Sequence, residues 1–303
     1  MGSVMSTAWK WGTPAKMSTR GVVGAHERFK DDAHATNEAG GMEQEPIMTF
    51  AYVGVEDAIK QPGLRMVVVG GVPSPWGEAA KGLLHIKRID WAAVRLVYDS
   101  EALKEWAGER SGPIAIYDNE KPRSRWSDIL LLAERLSPEP ALLPKDPAER
   151  ALAFGLAHEL VGEDGLAWSR RIELIHAGLQ NSGGFPERVS KYLAKKYGYS
   201  PAAGAAAASR VAELLKLLAA RLAAQHRAGS RYYVGEAPTA VDVYSAACMA
   251  MFCPLPEAQC KMDAATRAAF ANRDPQIEAA LDPIMLAHRD MMYAQHLELP
   301  LAL

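Results

Sequence analysis

This 303-residue sequence has no long apolar run, nearly equal numbers of basic and acidic residues, and only three cysteines. No apolar stretch approaches the roughly 18–20 residues that cross a bilayer, so no membrane-spanning helix is expected. Lys and Arg number 34 against 36 acids, and this balance provides no field that attracts nucleic acid. The three cysteines fit neither a zinc ribbon nor a redox pair, which favours a reducing compartment, the cytoplasm.

Several catalytic signatures are missing as well. The sequence has no P-loop and no G-x-S-x-G elbow, so phosphoryl transfer and serine hydrolysis lack their usual motifs. Gly70, Gly71 and Gly77 follow a strand-like run but do not form G-x-G-x-x-G, which leaves a dinucleotide site as a weak alternative. The histidines have no partners at metal-ligand spacing, so no metal site is predicted.

The sequence does contain a succession of segments of different character. Residues 1–58 have no sustained apolar period and are predicted to be a disordered extension. Two alternative interpretations are that the segment is a transit peptide and that translation begins at Met48. Residues 59–136 alternate short apolar runs with amphipathic stretches. Residues 137–147 carry four prolines, as is typical of a linker, and residues 148–303 are helical by period.

The segment 59–136 has the order of a thioredoxin-like domain, because β-type runs alternate with helical patterns. The predicted strands are Arg65–Val69, Trp91–Tyr98 and Ile114–Tyr117, and the predicted helices are Gly77–Lys87, Ser100–Glu109 and Ile129–Leu136. Beyond the linker, the clearest helix is Ala205–Arg227, and a late pattern from Ile277 to Leu297 is broken near Pro283. The fold class is therefore an α/β thioredoxin-like domain followed by an all-α bundle.

The loop between the first predicted strand and helix carries Ser74-Pro75-Trp76. Free amides and the positive dipole end at a helix N-terminus favour an anion, and a serine hydroxyl there can donate one further hydrogen bond. A serine followed by proline is also a common helix start with no other role. Ser74 is a candidate site residue whose alternative interpretation is a plain N-cap.

Two motifs of the N-terminal half resemble the glutathione transferase family. Ser74-Pro75-Trp76 is similar to the Cys/Ser-Pro-aromatic loop of glutaredoxins and omega-like glutathione transferases. Gly112-Pro113-Ile114 stands where the family has its cis-proline element, although a proline at that place is also an ordinary start of an edge strand. The resemblance implies a cis Gly112–Pro113 bond that faces the Ser74 loop.

Two more motifs extend the resemblance to about Met251. Where the family has Glu-Ser or Gln-Ser, this sequence reads Arg-Ser-Arg-Trp-Ser from Arg123, so the acidic member is missing and Asp128 is an alternative source of its charge. The stretch from Gly235 to Val243 resembles the family's Gly-Asp-x-x-Thr-x-Ala-Asp box, with Thr239 as N-cap and Asp242 at N3.

The resemblance implies a role for each matching position. Ser74 would act on the thiol of glutathione, the co-substrate, as the catalytic residue. The glutathione-binding positions would be Trp76, Gly112, Pro113, Ile114, Ser124 and, as a substitute, Ser127. Trp76 is also a common type of core or interface residue.

The resemblance implies an enzyme that ionises the thiol of glutathione and directs it at a small apolar electrophile, and that forms a twofold homodimer. Mixed-disulfide chemistry at Ser74 is excluded because serine has no sulfur. The alternative is a non-catalytic relative that keeps the fold as a binding or scaffold protein, and the fold alone does not decide between them.

Overall fold

A computed structural model describes residues 51–303. They begin with a four-stranded sheet in the order β1-β3-β2-β4. The strands are β1 (Tyr52–Val53), β2 (Leu64–Val68), β3 (Trp91–Arg95) and β4 (Ile114–Tyr117). β3 pairs in parallel with both β1 and β2, and β4 pairs antiparallel to β2 with Ile114 opposite Val67.

Four helices connect and follow these strands: α1 (Val55–Lys60), α2 (Pro75–Ile86), α3 (Glu101–Ala107) and α4 (Trp126–Leu136). Helices α1 and α3 cover one face of the sheet, where Ala58 and Leu103 join a buried cluster with Val67 and Val94. Helices α2 and α4 pack against each other, and their residues Ala79, Leu83 and Leu130 join the core of the C-terminal helices. The thioredoxin-like prediction is confirmed.

The first βα unit corrects the predicted end of the extension. Residues 51–58 were expected to lie outside the fold, but β1 pairs with β3 at Tyr52 and Val53, and Ala58 in α1 is fully buried. A two-residue strand and a six-residue helix are too short to leave a period in the sequence, which is why the pattern missed them. The predicted disorder of residues 1–50 lies outside the described residues.

The rest of the described chain is helical, as predicted. Its elements are α5 (Pro147–Val161), α6 (Leu166–Leu179), α7 (Glu187–Lys196), α8 (Pro201–Arg227), α9 (Ala240–Cys248), a 3₁₀ turn (Met249–Met251), α10 (Ala264–Ala271), α11 (Pro275–Ala280) and α12 (Pro283–Gln295). The predicted break near Pro283 separates α11 from α12. None of the helices between residues 51 and 303 is long and apolar enough to span a bilayer.

Helix α9 joins the two halves, because all nine of its residues are buried and it packs on α2, α5 and α12. Its start is the predicted capping box, with Thr239 as N-cap and Asp242 at N3. The fully buried Asp242 carboxylate accepts hydrogen bonds from Thr239 N (2.8 Å), Thr239 Oγ1 (2.8 Å), Tyr233 N (2.9 Å) and, in the protonation state that donates, His288 Nε2 (2.9 Å).

The predicted linker is tied to the folded chain although residues 137–146 form neither helix nor strand. Leu142 and Leu143 are buried, and the Leu142 carbonyl accepts a hydrogen bond from Ala240 N. The buried Lys87 ammonium at the end of α2 donates to the carbonyls of Ser137 (2.6 Å) and Pro140 (2.9 Å). These bonds fix the end of α2 relative to the helical half.

Candidate functional site

A cavity of about 490 Å³ lies between α2 and α4 on one side and α6, α7 and α9 on the other. This volume is in the range of small-molecule sites. Six aromatic side chains line it, and the loops before β4 and α4 supply a glycine, a proline and two serines. The lining residues are Trp76, Ala80, Leu83, Glu109, Arg110, Ser111, Gly112, Pro113, Ser124, Trp126, Ile129, Trp168, Tyr192, Lys196, Tyr197 and Tyr244.

Ser74 is the N-cap of α2, in extended backbone geometry, and Pro75 is the first helical residue. Its hydroxyl makes no capping bond, and within residues 51–303 it makes no other hydrogen bond. The amides of Trp76 and Gly77 have no acceptor inside the helix because they belong to its first turn. Ser74 itself does not line the cavity, but Trp76, two residues later, does.

Trp76 lies where the two halves meet. Its indole Nε1 donates to the Val161 carbonyl at the end of α5, at 2.7 Å, which satisfies one of the carbonyls that a helix C-terminus leaves free. Its ring lies 6.1 Å from the ring of Tyr197, centroid to centroid. Trp76 therefore contributes a fixed wall of the cavity as well as an interface contact.

Gly112 and Pro113 line the same cavity as Trp76, and their peptide bond is cis, as predicted. A Cβ atom on Gly112 would lie 3.2 Å from the Val67 carbonyl oxygen, so the backbone approaches β2 closely at this point. Ile114 follows in β4 but does not line the cavity. Its side chain is fully buried on the sheet face that α1 and α3 cover, so only its backbone remains near the site.

The two predicted serines near α4 are separated by the structure. Ser124 lies exposed in the loop before α4 and lines the cavity. Ser127 is in the first turn of α4 and donates a long hydrogen bond to Asp128 Oδ1 (3.5 Å) rather than lining the cavity. The N-cap residue of α4 is Arg125, whose side chain makes no capping bond, so the first-turn amides of Trp126 and Ser127 are uncapped.

The helical half supplies wall residues that the sequence did not identify. Trp168 of α6 and Tyr197 after α7 pack edge to face at 4.8 Å between centroids, and Trp126 and Tyr244 do so at 5.7 Å. The hydroxyl of Tyr244 donates a long bond to the Trp126 carbonyl (3.4 Å), and burial strongly raises the pKa of this phenol. No sequence signal marked Trp168, Tyr197 and Tyr244, because aromatics in helical segments are usually core residues.

Positive charge surrounds the α7 side of the cavity. Arg171 of α6 is 7% exposed, and its guanidinium carbon lies 5.7 Å from the ring centroids of both Trp76 and Tyr197. Lys196 of α7 lines the cavity, and desolvation together with the charge of Arg171 lowers its pKa. Burial, with the neighbouring hydroxyl of Tyr192, raises the pKa of Tyr98 to about 12.

The structure thus brings together Trp76, Gly112, Pro113 and Ser124, which are up to 48 residues apart in sequence, in the wall of one cavity. Ser74 and Ser127 do not line the cavity, although Ser127 directly follows the wall residue Trp126, and the side chain of Ile114 lies on the sheet face that α1 and α3 cover. Across residues 51–303, no three His, Cys, Asp or Glu side chains converge in a way that would hold a metal ion.

Comparison with solved structures identifies this architecture. A glutathione S-transferase domain-containing protein from Marinobacter aquaeolei VT8 superimposes with a TM-score of 0.54 at 15% identity, over 76% of this chain and 98% of that chain. Glutathione transferase Omega 3C from Trametes versicolor superimposes with a TM-score of 0.52 at 15% identity, over 80% of this chain and 89% of that chain. The chain has the glutathione transferase fold, and the resemblance found in the sequence is confirmed at that level. No protein-family model and no curated protein sequence matches the chain.

Proposed function

We propose that the protein is a glutathione transferase-like enzyme that binds glutathione in the cavity and directs its thiol at a small apolar electrophile. The observation that carries this proposal is the meeting of Trp76, the Gly112–Pro113 bend and Ser124 in one cavity wall. A fold shared by many proteins does not by itself specify a reaction, so the argument rests on these side chains and on the uncapped helix starts beside them.

The residues present fit the groups of glutathione. The thiol would lie at the start of α2, near the Ser74 hydroxyl, and the cysteinyl backbone along Gly112 and Pro113, which form the rim of the sheet. The γ-glutamyl carboxylate would bind Ser124 and the uncapped first-turn amides of α4. Asp128 in that same turn would attract the γ-glutamyl ammonium and so take the place of the acidic residue missing from the motif.

The energetic requirement on the thiol is modest. A free thiol has a pKa near 8.5, and lowering it by two units needs about 2.7 kcal/mol of preference for the thiolate. A hydrogen bond to a charged group contributes about 1.5–3 kcal/mol, and the positive end of α2 adds to it. One donated bond from Ser74 together with the dipole is therefore of the required size, and the aromatic wall would hold the electrophile within reach.

A non-catalytic binding protein is the second candidate, and two observations favour it. Ser74 does not line the cavity, and Ser124 has arginines on both sides in place of an acid. Calorimetric titration with glutathione tests the enzyme, because an enzyme requires saturable binding. Absence of binding would favour the second candidate. The predicted homodimer and cytoplasmic location stay predictions from the resemblance.

The test of the mechanism is Ser74→Ala, with Ser200→Ala as its matched control. Both serines are N-caps followed by proline, but Ser200 accepts a bond from Ala203 N (3.1 Å) and Ser74 accepts none. Ser200→Ala should therefore lose about 1 kcal/mol of stability with unchanged chemistry. Ser74→Ala should fold with nearly unchanged stability, while the pKa of bound glutathione rises by roughly one unit.

Thiolate absorbance as a function of pH measures the pKa of bound glutathione, and the rate toward any accepted electrophile should fall in parallel. An equal thiol pKa and an equal rate in wild type and Ser74→Ala would show that Ser74 is only a helix start. Absence of any saturable glutathione binding by the wild type would refute the proposal as a whole.

A further inference from the structure

Arg171 is a buried cation without an acidic partner. Its side chain packs among three rings, with the guanidinium carbon 5.4–5.7 Å from the centroids of Phe185, Trp76 and Tyr197. Within residues 51–303, Arg171 makes no hydrogen bond and no ion pair, and its Nε is buried without an acceptor. Contacts with aromatic faces attract the charge but do not satisfy the five N–H donors of a guanidinium.

This arrangement differs from the other buried arginine of the same helix. Arg170 pairs with Glu173 and donates to the carbonyls of Met251, Phe270 and Asn272, so its charge and its donors are used inside the protein. A buried charge is costly unless it is paired and hydrogen-bonded. Arg171 does not itself line the cavity, but it lies against Trp76 and Tyr197, which do, and no group of the described chain uses its donors.

Lys196 extends the positive charge of Arg171 to the cavity surface. It lines the cavity, stands close enough to Arg171 for that charge to lower its pKa, and makes no ion pair within the described part of the chain. Two other charged residues line the cavity. Glu109 attracts Lys196, and Arg110 is already paired with Glu101. The local charge is thus positive.

We propose that the α6–α7 side of the cavity binds the anionic group of an aromatic second substrate, such as an aryl carboxylate or sulfonate, through Lys196, which lines the cavity, and Arg171, which lies against two rings of its wall. The rings of Trp168, Tyr192 and Tyr197 provide the apolar surface for its aromatic body. This inference rests on the proposed function, and it specifies the electrophile as an apolar aromatic body that carries one anionic group. The groups assigned to glutathione lie elsewhere, at the sheet rim and at the starts of α2 and α4.

The probe for this site is anilinonaphthalene sulfonate, compared by fluorescence titration with its uncharged parent, phenylnaphthylamine, on the full chain. The wild type should bind the sulfonate at one site, about tenfold or more tightly than the parent, because the bond to a desolvated cation is charge-assisted. Arg171→Met should remove that preference while changing binding of the parent less than about twofold.

Lys196→Met is the second variant, and it keeps the test valid if Arg171→Met does not fold, because Lys196 is exposed. Lys196→Met should lower the affinity for the sulfonate by about threefold and leave the affinity for the uncharged parent unchanged. Lys195→Met is the matched control, since Lys195 is on the same helix but does not line the cavity. It should change neither affinity.

Equal affinity of the wild type for the charged and uncharged probes would overturn the inference, as would a preference that survives both Arg171→Met and Lys196→Met. Saturating glutathione should leave sulfonate binding in place, and competitive displacement would show that these cations hold glutathione instead, which would also overturn it. Calorimetry with glutathione on the same samples separates the two proposals. Sulfonate preference without glutathione binding would reject the proposed function and retain the anion site.

Discussion

The strongest stability prediction concerns Asp242, the buried carboxylate at the start of α9. Asp242→Asn changes one oxygen to an NH₂ group and keeps the shape of the side chain. Oδ1 accepts from Tyr233 N and faces His288 Nε2, and Oδ2 accepts from the amide and hydroxyl of Thr239. Whichever way the asparagine is oriented, its NH₂ group faces a backbone N–H, so one buried donor loses its acceptor.

The expected cost follows from these bonds. A buried donor left without an acceptor costs about 1–3 kcal/mol, and the remaining bonds lose the strength that the negative charge of Asp242 gives them. The sum is about 3 kcal/mol, which is a large part of the 5–15 kcal/mol that a protein of this kind has. The melting temperature should fall by about 6–12 °C.

Thermal unfolding followed by circular dichroism measures this change, with Asp263→Asn as the matched control. Asp263 is the exposed N-cap of α10 and accepts a bond from Thr266 N (2.9 Å). Asparagine caps a helix as well as aspartate does, so the control should unfold within about 0.5 kcal/mol of wild type. If Asp242→Asn is as stable as Asp263→Asn, the four bonds to this carboxylate are not what holds α9 in place.

Three further predictions test other parts of the fold. Gly178→Ala should lower the free energy of unfolding by at least about 2 kcal/mol, because its methyl group would clash with the loop that leads to α7. Gly155→Ala has free space around the new methyl group and should raise it by up to about 1 kcal/mol. Chemical denaturation measures both changes. A chain that begins at Met48 keeps β1 and α1 and should melt with the full chain, whereas one that begins at Pro62 should melt several degrees lower. Burial raises the pKa of Glu78 above 4.5, so the folded state binds the extra proton and stability falls as pH rises from about 4.5 to the folded-state pKa. Glu78→Gln should lack that fall, and a wild-type curve without it would contradict the assignment.

The sequence was sufficient for those parts of the fold that repeat a period or a motif. The stripe of α8, which runs from Val211 to Leu222, was predicted and is buried, and Thr239 and Asp242 form the predicted box. The strand predicted to reach Tyr98 ends at Arg95, because only backbone pairing with β2 defines its end. The first βα unit was missed because Ala58 is the one buried residue in α1.

The site was predictable only where its residues stand in local motifs. Ser74 and the Gly112–Pro113 bend are marked by proline and by their position next to strands. Trp168, Arg171 and Tyr197 lie more than 90 residues after Ser74, on or after helices whose sequences show no more than amphipathic patterns. Their meeting at the cavity is a consequence of how α6 and α7 pack over α2, and tertiary packing of that kind leaves no local signal.

Side-chain caps are missing at the starts of α2 and α4, as they are at the starts of α1, α6 and α7. Six other helices begin at a serine or aspartate whose side chain accepts a hydrogen bond from an amide of the first turn: α3, α5, α8, α10, α11 and α12. Helices α2 and α4, whose first turns bring Trp76 and Trp126 to the cavity wall, have no such bond.

Glutathione should therefore slow amide hydrogen exchange in the first turns of α2 and α4 far more than in those of α8 and α12. The ligand supplies the acceptors that α2 and α4 lack, whereas the caps of α8 and α12 are present with or without it. Exchange measured by mass spectrometry, with and without saturating glutathione, resolves these four regions. A ligand that binds elsewhere would slow exchange through global stability alone, and all four regions would then change together. Such uniform protection would mean that glutathione does not bind where α2 and α4 begin.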